Sequence, residues 1–159
     1  MGGTGRQMTA LVVAVVLAGG CTLGEIFADY GDPVEPRPAD VVGTWRADDR
    51  EIVFGEDGAF TATRLPYHAL HEAHRGAFTP DARIDGAGTW RIEAPATAPD
   101  GPQTVVRLTF RQLGTHEVET YLELSALDQD GVTYLCVFYV GPGGNSWTAY
   151  ARCERECTG

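Results

Sequence analysis

From Val41 onward, apolar side chains recur at every second residue, and this period constrains the fold more than any other feature of the chain. Val106, Leu108 and Phe110 alternate with Arg107, Thr109 and Arg111; Leu122, Leu124 and Ala126 alternate with Tyr121, Glu123 and Ser125; Ile52 and Phe54 alternate with Glu51 and Val53. Successive side chains of a β-strand point to opposite faces, so each run buries one face and wets the other. GEDG at 55–58, DQDG at 128–131 and GPGGN at 141–145 separate the runs with residues that accept the positive φ of tight turns. About eight strands result, roughly at 41–46, 50–54, 59–65, 88–93, 104–111, 117–127, 132–140 and 147–153. Their spacing predicts an all-β domain, an antiparallel barrel or a barrel-like sandwich, over residues 41–159. Phe54, Phe60, Leu108, Phe110, Leu122, Leu124 and Phe138 are the expected interior. Residues 66–86 break the rhythm, being too long for a hairpin loop. They predict a short helix at about 67–74 that lies across a barrel end as a partial lid.

Two short motifs extend this reading. Gly43-Thr44-Trp45 opens the first strand, and Gly88-Thr89-Trp90 repeats it; between them lies Asp57-Gly58-Ala59-Phe60-Thr61-Ala62-Thr63-Arg64-Leu65-Pro66. The sequences after the two GTW motifs differ, which argues for two strand starts and against a duplicated domain. A G-x-W at the first strand resembles lipocalin-like barrels, and the set of three motifs resembles small lipoproteins of actinobacteria. The resemblance covers most of 41–153. It implies that Trp45 plugs one barrel end and that Arg152, in the last strand, packs across it. It implies no activity.

The first twenty residues read as a signal segment. Arg6 and the amino terminus precede an apolar run from Met8 to Ala18, and Gly19-Gly20 lead to Cys21. The run is shorter than the ~20 residues that span a bilayer. Leu17-Ala18-Gly19-Gly20-Cys21 resembles the bacterial lipobox, one glycine longer than its usual Leu-Ala-Gly-Cys form. That likeness implies a signal peptide at 1–20, lipidation of Cys21 and anchoring in the lipid bilayer at the extracytoplasmic face. The plainer alternative is a secreted chain cut near Gly20, with Cys21 left to pair with another cysteine. Pro33, Pro36 and Pro38 lie among acidic residues in 22–40, which describes an extended tether. Stretched fully, it reaches up to ~60 Å.

The chain has 12 Lys+Arg against 22 Asp+Glu, for a net charge of −10. That balance leaves no electrostatic footprint for nucleic acid. Catalytic signals are absent too. Ser125 and Ser146 are outside any nucleophile elbow, and Asp128, Asp130 and Gly131 begin a calcium-loop pattern that stops at a strand. The sharpest cluster is His68, His71, Glu72 and His74. On a helix, His68 would share a face with His71 and Glu72, and with His116 the set could hold zinc. Solvated side chains on a lid account for the same residues.

Cys136, Cys153 and Cys157 belong to an oxidising compartment if the signal reading holds, and a disulfide is then the default. A hairpin turning between Gly144 and Asn145 would set Cys136 opposite Cys153. Cys157 is an alternative partner for either. The expected function is therefore non-enzymatic: a lipid-anchored barrel that binds a small ligand or an envelope partner. The alternatives are a zinc-handling lipoprotein and a packed structural domain.

Overall fold

The computed structural model describes residues 31–66, 76–79, 82–141 and 144–153. It is a closed antiparallel barrel of eight strands with one short strand added. The added strand is β1 (Asp32–Pro33), and a single turn of helix, α1 (Pro38–Val41), follows it. The barrel strands are β2 (Gly43–Ala47), β3 (Arg50–Phe54), β4 (Ala59–Pro66), β5 (Arg83–Glu93), β6 (Val105–Leu113), β7 (His116–Gln129), β8 (Val132–Gly141) and β9 (Gly144–Arg152). Each pairs with the next in sequence, and β9 pairs with β2 to close the ring. The eight expected strands are all present. β5 begins five residues earlier than its alternation suggests, so the second GTW lies inside a strand and not at its start.

The interior is layered by cross-strand rows. Trp45, Ile52, Ala62, Gly86 and Leu113 are successive register partners across β2 to β6. Phe54, Phe60, Gly88 and Phe110 form the next row. Glycine in β5 makes room for the rings on either side. Phe60 and Phe110 meet edge to face over Gly88, with centroids 5.0 Å apart at 88°. Offset and T-shaped ring pairs of this kind contribute ~0.5–1.5 kcal/mol beyond the area they bury. Leu108, Leu124, Leu135, Val137 and Tyr150 complete the buried core.

Three register shifts, between Ala62 and Leu65, Ala87 and Gly88, and Phe110 and Gln112, bend the sheet toward closure. At the first, Arg64 takes φ 59° and its N–H is received by an Asp85 carboxylate oxygen at 2.9 Å. The bulge lets Ala62 and Leu65 both point inward although they are an odd number of positions, three, apart.

Connectivity defines two ends. The start of β2, the turn 55–58, the connection 94–104, the turn 130–131 and the end of β9 gather with α1 at one end. The turn 48–49, the turn 114–115, the end of β4 and the start of β5 lie at the other, the far end. At the α1 end β7 runs past the start of β6, and β1 occupies the vacated edge: Asp32 pairs with Asp128 and Pro33 with Leu127. The Val34 N–H then donates to the Ala126 carbonyl at 3.0 Å. The described part of the expected tether, 31–40, is thus fastened to the barrel. Alternating prolines and acids gave it the look of a free linker, but a strand overhang needs only two or three extended residues to cover it.

Two further expectations are corrected. Phe138 lies on the outer face, stacked near Trp147 with centroids 6.3 Å apart, while Leu135 and Val137 face the core. β8 is apolar on both faces, so alternation could not tell them apart. The last hairpin pairs Gly141 with Gly144, which sets Cys136 opposite Ala149. A cross-strand Cys136–Cys153 bridge is excluded, and Cys136 is a free, buried thiol. The glycines of GPGGN allow more than one turn centre, and the observed one is displaced by two residues.

Candidate functional site

At the α1 end the sequence builds a small cap. Pro38 begins the helix with its φ already fixed. One Asp40 carboxylate oxygen accepts from the Arg37 backbone N–H at 3.0 Å, and the guanidinium of Arg37 grips the same carboxylate at 2.9 Å. Arg37 holds the Asp40 carboxyl down at about 2, chiefly through the side-chain hydrogen bond and then the backbone one. Val41, the last residue of the turn, is wholly buried in the core. Its carbonyl accepts the Trp45 indole N–H at 2.7 Å.

Trp45 and Arg152 are register partners in the β2–β9 pair. Arg152 donates from Nη2 to the Val42 carbonyl at 2.8 Å and, at 3.5 Å, to that of Ala39. It lies over Gly43, where a Cβ would stand 3.6 Å from its Nε. The last strand is thereby laced to the helix that precedes the first. Trp90, from the second GTW, makes the corresponding bond at the same end: its indole N–H donates to the Gly55 carbonyl at 3.0 Å and its ring meets Phe54 edge-on.

Beside this cap are two clefts. One, about 500 Å³, is lined by Asp40, Trp45, Val132 and Arg152, and its charged members are already engaged with α1. The other, about 380 Å³, follows the outer face of β7. Pro33, Ala98, Val105, Leu127 and Phe138 give it an apolar wall, and Thr104, Glu123 and Ser125 supply polar groups. Its volume and mixed lining fall within the range of small-molecule sites.

An ion-pair row braces that wall. Arg107 bonds Glu123 at 2.5 Å, pairs also with Glu93, and lies over the Tyr121 ring at 4.5 Å. Burial works against its charge, but the Glu123 bond and the Glu93 charge outweigh this and raise its pKa. Glu123 faces the cleft with its charge already paired to Arg107. This site escaped sequence reasoning. Glu123 and Ser125 read as the wetted face of a strand and Pro33 as linker, and only the pairing of β1 with β7 reveals a groove.

The remaining sequence candidates divide by place. His68, His71, Glu72 and His74, with the helix expected at 67–74, lie outside the described residues, as do Cys21 and Cys157. His116 stands at the start of β7, at the far end, with Phe78 edge-on at 5.5 Å. Among the described residues no three His, Cys, Asp or Glu side chains come close enough to hold a metal ion. Burial pushes the Cys136 thiol up to about 11, so it is protonated at neutral pH. Cys153 follows β9, and its N–H donates to the Thr44 carbonyl at 2.8 Å. At the far end the inward Arg50 donates to the Thr148 hydroxyl at 2.8 Å.

Compared with family models, with curated proteins and with solved structures, the chain matches none.

Proposed function

We propose that this chain is a lipoprotein anchored through Cys21 at the extracytoplasmic face of the membrane, with a lipocalin-like barrel that binds a small apolar ligand and performs no catalysis. The apolar cleft along β7 carries the binding half of this reading: it is large enough for one small molecule and holds a few polar groups that could orient it. The anchoring half rests on the apolar run that ends at Cys21. The lipocalin-like assignment is supported by the closed eight-stranded meander and by a G-x-W tryptophan beside an arginine of the last strand.

Zinc handling is the second reading. It is favoured by the position of His116 at the end where β4 leaves toward the histidine-bearing segment and β5 returns.

Native mass spectrometry of the mature protein, purified without chelators, tests both. An organic adduct that disappears in Ser125→Trp, whose indole would fill the cleft, supports the ligand carrier. A zinc-mass adduct lost in His116→Ala supports the second reading. A bare mass in the unsubstituted protein overturns both and leaves a packed domain that meets an envelope partner.

A further inference from the structure

We propose that the barrel stands on the membrane by its α1 end, with the far end turned outward; this rests on the Cys21 anchor of the preceding section. The argument is one of attachment and length. β1 fixes the incoming chain to the overhang of β7, and Gly31 sits against the Asp128 carbonyl so closely that a Cβ would be 2.4 Å from it, without room for any larger residue. The chain therefore joins the barrel at the α1 end, ten residues after Cys21.

Ten residues reach at most ~35 Å even when straight. β7, with 14 residues, is ~45 Å long, which is ~35 Å along the axis at the usual strand tilt. To bring the far end to the bilayer, the link would have to run fully stretched along the whole barrel. Every less extended arrangement keeps the α1 end nearer. Had 31–40 been free, the reach of ~60 Å would have permitted either orientation.

Charge sets the spacing without reversing the orientation. The α1 end exposes Asp32, Glu35, Glu56, Asp57, Asp100 and Asp130 against Arg37 and Arg152. This rim is repelled by anionic headgroups over about one Debye length, ~8–10 Å, well inside the reach of the link. The cleft along β7, whose rim includes Pro33, then opens beside the bilayer. An apolar ligand would reach it from the membrane side, and the far-end loops would face the exterior.

The test uses full-length protein isolated from a host that lipidates such precursors, reconstituted in zwitterionic vesicles that carry an acceptor-dye lipid. A donor dye is placed through an encoded azido residue at Gln129 or at Thr115, exposed positions at opposite ends of β7. Transfer from position 129 should exceed that from 115 by a factor of about two or more, given the ~35 Å difference in height. Equal transfer, or more from 115, on a protein whose mass shows the acylated Cys21 overturns the orientation alone. A mass without acyl chains on Cys21 overturns the anchor, and the orientation with it.

Discussion

Gly88 lies in register between Phe60 and Phe110, and its lack of a side chain leaves room for the neighbouring backbone of β6. A Cβ on Gly88 would run into the Thr109 carbonyl, which is backbone and cannot turn aside. At Gly86 the obstacle is the Phe110 ring, 2.6 Å from a built Cβ, and a ring can rotate. Overpacking a tight core costs ~1–3 kcal/mol. Gly88→Ala is thus expected at the upper end, about 3 kcal/mol, and Gly86→Ala near 1 kcal/mol, as read from urea unfolding midpoints; the reverse order would contradict the row described here. Cys136 offers a second check at this scale. With its pKa pushed up to about 11 by burial, the thiol should resist iodoacetamide in the native protein at pH 8 and gain reactivity as pH rises toward 11. After unfolding without reductant, Cys136 should alkylate fully in peptide mapping. A bridged Cys136 would stay unlabelled and refute the free thiol.

Among the elements, β5, β6 and β7 are joined on the outer face by a charge row as well as by their ladders. Arg107 lies between Glu93 and Glu123, with side-chain exposures of 18%, 20% and 27%. Removing the cation in Arg107→Ala leaves the two carboxylates partly buried and less compensated. That should cost about 1–3 kcal/mol at pH 7, below the value for a fully buried pair because water still reaches all three groups. Added salt should recover part of the loss, since screening weakens the repulsion between the two carboxylates; a deficit that does not shrink as ionic strength rises would argue against the row. The element that sequence reasoning most misjudged is the segment 31–41. Its prolines describe extended backbone correctly, yet extension suits a two-residue strand and a helix start as well as it suits a linker. Only the overhang of β7 distinguishes them.

For the whole molecule, closure is the weakest part of the ring. β8 and β9 share eight register pairs, but β9 and β2 share two, at Trp45–Arg152 and Arg46–Ala151. The arginine bonds to Val42 and Ala39 reinforce this seam from the α1 side. Local opening should begin where buried contacts and ladder bonds are fewest. Amide hydrogens of β2 and the end of β9 are accordingly expected to exchange faster than those of β6 and β7. Arg152→Ala should widen that gap, lower stability by about 1–2 kcal/mol and shift Trp45 fluorescence to the red. Uniform exchange around the ring would mean that the seam is no weaker than its neighbours.

How much of this was legible depends on the range of the interaction. Strand number, the antiparallel meander, the turn at 130–131 and most of the interior follow from period two and from glycine, because both act between residues close in the chain. Trp45 and Arg152 could be named together only through a resemblance, since the 106 positions between them carry no local signal that β9 returns to β2. The outward Phe138, the register that separates Cys136 from Cys153, the fastening of β1 and the cleft along β7 were decided by tertiary structure alone. Each turns on which of two apolar faces looks inward, or on where one strand outruns another. Those choices are settled by closing the ring around a core of fixed volume, which no short stretch of sequence contains.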